Sequence, residues 1–184
     1  MIKKLITAST IWPINYDNIK EHLRISTTNG DHDIRLYGII KSSTDQAEHI
    51  TSRAIMTQTW AVVFESWDEM TFTTIPKGQL QSVTSIKYND EDGAEQTVSS
   101  DDYLVGGIGT DEGMIIIPSD SDFTFPTLYD KDPITLTFIC GYTAATVPET
   151  IKTAVKLLVE ETFYGIDASY AVAANLTPHK LYIL

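Results

Sequence analysis

The chain has 184 residues, 42% of them hydrophobic and 21% charged, with a formal net charge of −12. This is enough for one domain, or for a small domain carrying an insertion. It is too apolar for a disordered chain, and it has no run of about 18 apolar residues that would cross a membrane as a helix. The acid excess is confined to the middle: residues 57–142 hold 15 acids against three bases, Lys77, Lys87 and Lys131, and the rest of the chain is neutral. Such a segment should avoid DNA phosphates rather than bind them.

At the start, Lys3 and Lys4 precede Leu5 and Ile6 in the manner of a signal peptide. Thr7, Ser9, Thr10 and Pro13 break the apolar run, so a cytoplasmic chain is expected. Residues 17–25 read as a short helix with Ile19, Leu23 and Tyr16 on one side. After a break at Thr27, Thr28, Asn29 and Gly30, a longer helix is expected over residues 31–54. There Leu36, Ile39, Ile40, Ala47, Ile50 and Ala54 keep a 3.6-residue period, and Asp31 and Asp33 suit its positive end.

The period then changes to two. Trp60, Val62 and Phe64 fall on one face of a strand, as do Thr84, Ile86 and Tyr88, and Ile134, Leu136, Phe138 and Cys140 alternate with threonines. Turn residues separate the runs: Pro76 to Gly78, Asn89 to Gly93, and Gly106, Gly107 and Gly109. A last helix is expected after Thr146 as cap, Pro148 in the first turn and Glu149. It shows Ile151, Ala154, Val155, Leu158 and Phe163 on one face, widens through Leu157 and Val159, and stops at Gly165.

The expected fold is therefore α+β: a small bundle of three main helices with an inserted antiparallel sheet or barrel-like module. The divisions are 1–56, an N-terminal helical part; 57–143, an acidic β-rich insertion; 144–166, a C-terminal helix that completes the helical body; and 167–184, a weakly patterned C-terminal arm.

Residues that carry chemistry are sparse. His22, His32, His49 and His179 are scattered, with none at i, i+3 or i, i+4 from another His or a Cys, so no metal site and no cofactor is signalled. Cys140 reads as a small core residue in a strand. Asp90, Asp92 and Gly93 look like the start of a calcium loop, but Gly93 comes too early, and a hairpin turn fits better. The glycines at 106, 107 and 109 look like a phosphate cradle, yet Asp111 and Glu112 follow where a helix N-terminus would be needed. The carboxylate neighbours Asp68 and Glu69, Asp101 and Asp102, and Glu160 and Glu161 read as solvated faces. Trp60 sits where helix gives way to strand and suits packing there, while Trp12 and Trp67 suit either a core or an interface. No catalytic residue is expected.

Several stretches together are recognisable: Asn18 through Ile25, Ala47 with Glu48, Thr51 through Trp60, Ile75 with Pro76, and Leu80 through Tyr88. Gly93, Gln96, Thr97, Tyr103, Pro126, Gly141, Tyr142 and the Val147-Pro148-Glu149-x-Ile151-Lys152 run follow in order. On these residues the chain resembles the head-tail connector (adaptor) family of long-tailed double-stranded DNA phages, in the variant with a β-rich insertion. The likeness spans residues 16–163. Ser52 departs from it, standing where the family pattern has Gly before the Arg.

The resemblance implies a non-enzymatic virion protein of the neck. It would form a homo-oligomeric ring of about twelve subunits docked under the portal protein. The ring would extend the DNA channel without specific DNA binding and offer a surface to the next neck or tail protein, with no membrane involved. Another neck or tail-side role, such as a tail terminator, is the alternative, and a hydrolase using the acidic β region is a distant third. The apolar residues Leu181, Tyr182, Ile183 and Leu184 end an expected docking arm, residues 171–184, for the portal.

Overall fold

The computed structural model describes residues 1–26, 30, 33–118 and 123–182. In chain order the first elements are β1 (Ile2–Thr7), α1 (Tyr16–His22), α2 (Asp33–Thr51), β2 (Gln58–Phe64), α3 (Trp67–Phe72), β3 (Leu80–Asn89) and β4 (Glu95–Thr97). Then come β5 (Leu104–Gly106), β6 (Met114–Ile116), β7 (Ile134–Cys140), α4 (Glu149–Tyr164), α5 (Ser169–Leu176) and a 3-10 turn, Thr177–His179. The chain divides into a sheet unit, residues 1–8 with 57–141, and a helical unit, residues 9–56 with 142–184.

The fold is α+β, and the sheet is open rather than closed into a barrel. Its order is β1-β2-β7-β3-β4 with every pair antiparallel, and β5 and β6 form a separate two-stranded ribbon. The alternation expected in β7 is present residue by residue: Ile134, Leu136, Phe138 and Cys140 are buried and the residues between them half-buried. Phe64, Val62 and Trp60 of β2 stand opposite Ile134, Leu136 and Phe138, so the buried rows of the two strands coincide.

On the other side of β7 the simple alternation fails. The register slips at Gln81 and at Thr84, each an extra residue on β3. These bulges put Val83 opposite Phe138 and Ile86 opposite Leu136. Thr84, expected on the same face as Ile86, is exposed.

Residues 1–8 were expected in the helical part. Instead Ile2–Thr7 pairs with β2 as an edge strand. Only Lys3 of its six residues is even half-buried, so no core-facing rhythm announced it. The short α3 was also unread. Its signal is the Ser-x-x-Glu spacing of a capping box: Ser66 Oγ accepts from Glu69 N at 3.1 Å, and Glu69 Oε2 reaches one residue past the cap to accept from Glu65 N at 2.7 Å.

The helical unit has one aliphatic core, built from Ile19 and Leu23 of α1 and its end, Leu36, Ile40 and Ala47 of α2, Ile151, Val155 and Val159 of α4, and Val172 and Leu176 of α5. Helix α2 is shorter than expected. It stops at Thr51 because Ser52 takes a left-handed φ of 59°, and Ala54 is buried beyond the helix end. Asp31, and the break at Thr27, Thr28 and Asn29, lie outside the described residues. Thr146 does not cap α4; its Oγ1 accepts from Thr143 N at 3.0 Å in the preceding turn, and Pro148 holds the cap position. Gly165 ends α4 at φ 73°, as expected.

The apolar width of α4 has an internal explanation. Both α2 and α5 pack against it, so its second apolar side is covered within the unit. The expected arm is correspondingly shorter. Residues 169–176 are helical, and Val172 and Leu176, four apart on one face, enter the core. Beyond α5, Leu181 N donates to Thr51 O at 2.9 Å.

Candidate functional site

The residues singled out for chemistry have structural work to do. His22 Nε2 meets Glu160 Oε2 at 3.1 Å, and His179 Nε2 meets Thr150 Oγ1 at 2.7 Å; His32 lies outside the described residues. Cys140 is fully buried in the sheet. Asp90 holds the β3–β4 turn: its Oδ1 accepts from Ala94 N at 2.9 Å and Asp92 N at 3.2 Å, and its Oδ2 from Gln96 Nε2 at 2.9 Å. The Gln96 amide and then the Ala94 N–H hold this carboxyl below its usual range.

The glycine loop closes the β5–β6 ribbon. A Cβ on Gly107 would stand 2.3 Å from Glu112 O, and Gly109 N donates to Leu80 O at 2.7 Å, so the glycines serve backbone approach. Among the described residues no group of three or more His, Cys, Asp or Glu side chains could hold a metal ion, and no helix is long and apolar enough to cross a membrane.

Several residues of the stretches quoted above make side-chain bonds near the ends of the elements, in each unit separately. Within the helical unit, the buried Arg53 donates from Nε to His179 O at 2.7 Å and from Nη1 to Tyr142 Oη at 2.8 Å. Glu48 Oε1 accepts from Ile55 N at 2.8 Å, and Tyr142 N donates to Ile55 O at 2.8 Å. Within the sheet unit, the bulged Gln81 donates from Nε2 to Thr57 Oγ1 at 2.8 Å and to Gly141 O at 2.7 Å. These residues fix where the chain turns.

A second buried cation, Lys20 of α1, sits against the start of α2. Lys20 Nζ lies 2.8 Å from Asp33 Oδ1 and 4.8 Å from the Tyr16 ring centroid; Tyr16 donates its hydroxyl to the same carboxylate and stacks on Tyr37 at 4.7 Å. Burial, and then the bond to Asp33, raises the Tyr16 phenol above its usual range.

What the molecule offers outward is surface. Trp67 is core: its Nε1 donates to Pro126 O at 3.0 Å, and Tyr88 and Phe123 meet it edge-on. Trp60 is half-buried in β2 and covered by Lys77, whose Nζ is 4.3 Å from its centroid. Half-buried Trp12 lines an open cleft of the helical unit with Asn15, Asn18, Lys152 and Lys156. The most exposed large apolar side chains among the described residues are Ile34 at 92%, Phe72 and Tyr170 at 88%, and Tyr182 at 80%. On the β5–β6 ribbon, Leu104 and Ile116 face one another across the strands, both exposed.

The two outer strands of the five-stranded sheet differ in charge. Edge strand β1 carries Lys3 and Lys4 among exposed Ile2, Leu5 and Ile6; at the opposite edge, the β3–β4 hairpin carries Asp90, Glu91, Asp92 and Glu95. Sequence alone hides this polarity, because β1 buries no face that would mark it as a strand.

No family model matches the sequence, and no curated protein matches it. Solved structures do. A chain from the neck of an empty GTA particle, computed with C6 symmetry, superposes with a TM-score of 0.79 at 18% identity, covering 100% of this chain and 98% of that one. A chain from the virion of a native gene transfer agent (GTA) particle gives 0.77 at 17%, with the same coverage. One from the neck of the native GTA particle, computed with C12 symmetry, gives 0.73 at 18%, again over 100% and 98%. The chain thus shares, end to end, a fold found in gene transfer agent particles.

Proposed function

We propose that this chain is a structural subunit of the neck of a tailed phage or phage-like particle. It forms a ring below the portal that extends the DNA channel and carries the attachment surface for the tail. The observation that carries the reading is the full-length likeness to a neck chain, at a TM-score of 0.79 with 98% of that chain covered. The sequence resemblance to connectors over residues 16–163 agrees with it independently. So does the character of the polar residues, which hold turns and the ends of elements. A net charge of −12 suits a wall past which DNA must move without sticking.

The symmetry of the matched necks supports a cyclic arrangement, in which two different surfaces of each copy meet head to tail. Helix α4 does not supply such a surface, since α2 and α5 cover it. Exposed Ile34 and Tyr170 of the helical unit and the outer strands of the sheet unit remain for that role.

Leu181, Tyr182, Ile183 and Leu184 stay the proposed portal contact, in a shortened arm. Tyr182 is 80% exposed, Leu181 is half-buried, and Ile183 and Leu184 lie outside the described residues.

Cryo-electron microscopy of the particle that contains this chain tests the function: density for a ring of it between portal and tail is expected, and its absence from that junction would sink the reading. For the arm, the informative deletion starts after Lys180, because one after Tyr170 also removes Val172 and Leu176 from the core. Particles with the shorter deletion should fail to join, while the purified chain keeps its wild-type helix content.

A further inference from the structure

We propose that neighbouring copies in the ring meet through the two oppositely charged edges of the sheet unit, the lysine-bearing β1 side of one copy against the acidic β3–β4 hairpin of the next. The proposal rests on the ring reading above and names the surfaces that would build it.

The sheet unit holds 15 acids and only five bases. In such a field a lysine should find a carboxylate. Lys87 does, at 2.6 Å from Glu95 Oε1. Yet among the described residues the other four, Lys3, Lys4, Lys77 and Lys131, make no ion pair, and three of these lie on the β1 side. Lys3 and Lys77 instead sit close enough to repel, and burial and then this repulsion lower the Lys3 ammonium from its usual range. Although Lys77 Nζ lies over the Trp60 ring, no carboxylate offsets the repulsion between the two ammonium groups within a single copy, and an acidic partner would.

At the far edge, Glu91 and Asp92 are exposed at the tip of a hairpin whose shape Asp90 fixes, so two carboxylates are presented on a braced turn. The two surfaces lie on opposite sides of one sheet. A head-to-tail ring needs that placement, because each copy must offer different faces to its two neighbours.

The contact is made by side chains rather than by extending the sheet. Twist of about 20–25° per strand over four steps turns β4 far from β1. Copies related by the small rotation of a many-membered ring therefore cannot align those strands for a backbone ladder. Exposed Ile2, Leu5 and Ile6 give the basic edge an apolar floor beside its lysines.

A competing explanation is that edge lysines only prevent edge-to-edge aggregation. Charge reversal separates the two. One full-length chain carries Lys3→Glu, Lys4→Glu and Lys77→Glu; a second carries Glu91→Lys and Asp92→Lys. Assembly is followed by sedimentation and native mass spectrometry at low and high salt, with circular dichroism confirming the fold, and Lys4→Glu alone serves as a milder exposed substitution.

Each reversed chain by itself should associate at least about ten-fold more weakly than wild type at low salt, with the difference shrinking as salt rises. Mixed in equal amounts, the two should form rings with an even number of copies, since each now complements the other. Rings from wild type with equal assembly of both reversed chains, or reversed chains that weaken without rescue on mixing, would overturn the edge contact and leave the ring reading standing. Absence of a ring from wild type, both alone and in particle necks, would overturn both.

Discussion

Among the described residues the two buried charged side chains, Arg53 and Lys20, both lie in the helical unit, whereas those of the sheet unit are exposed or half-buried. Arg53 reaches His179 and Tyr142, and Lys20 is enclosed between Asp33 and Tyr16. In the sheet, Asp90 binds residues two, four and six positions on, and Lys87 pairs with Glu95 across a hairpin. The charge balance follows the same division: 15 acids to five bases in the sheet unit, and ten to eight in the helical unit. A buried, satisfied charge is a fixture, because breaking it strands a partner away from water. An exposed, unsatisfied one can be spent on a neighbour. The helical unit therefore reads as the self-contained body and the sheet unit as the part with charge left over for contacts.

The largest test of this division lies in the sheet core. Phe138→Ala removes a fully buried ring from the central strand and should cost about 4 kcal/mol, read by urea unfolding. Reversing the exposed Glu91 and Asp92 in the same unit should change stability by less than about 0.5 kcal/mol. In the helical unit the order is different, because there a charge is part of the core. Arg53→Ala should cost about 3 kcal/mol. Tyr142→Phe, which removes one of its partners' hydroxyls, should cost about 1 kcal/mol. An Arg53→Ala chain as stable as wild type would mean that the guanidinium is not what ties residues 142 and 179 to the end of α2.

Legibility in the sequence followed burial. Helices α1, α2 and α4 and strand β7 each bury one face, so their periods were plain: Ile19 and Leu23, Leu36 and Ile40, Ile151 and Val155, and the four buried residues of β7. β1 has no buried face, so no alternation marked it, and the charge polarity of the sheet was lost with it. The bulges at Gln81 and Thr84 break the period of β3 without any glycine or proline at either position; only the pairing with β7 exposes them. Helix α5 did leave a signal, Val172 and Leu176 four apart, but eight residues are too few for a persuasive period. The candidate contacts were legible only in part: the apolar end at Leu181 and Tyr182 stood out, whereas opposing edges of a sheet are a property of topology.

A smaller effect should raise stability. Ser52 is exposed and holds a φ of 59°, a conformation in which a Cβ is strained and glycine is not. The resemblance to connectors places a glycine at this position, and the end of α2 explains why. Ser52→Gly should stabilise the helical unit by about 1 kcal/mol, seen as a higher urea midpoint at an unchanged slope. A loss of stability would show that the serine hydroxyl contributes more than the strain costs.

The mildest test concerns the braced hairpin, and its sign follows from Asp90. In the folded chain this carboxyl is held below its ordinary value of 3.8 by the Gln96 amide and the Ala94 and Asp92 N–H groups; in the unfolded chain it returns to that value. The contribution is therefore fully present above the unfolded value and is lost as pH falls through the folded one. Because its bonds lie within the β3–β4 turn, losing the charge should loosen that turn without unfolding the sheet. In an NMR titration the Asp90 carboxyl should show its midpoint below 3.8, and the amide signals of Asp92 and Ala94 should move with it while those of β7 stay in place. A midpoint at or above 3.8 would mean that the carboxylate does not brace the turn. Glu91 and Asp92 would then sit on a mobile tip, and a mobile tip is a poor surface on which to seat a neighbouring copy.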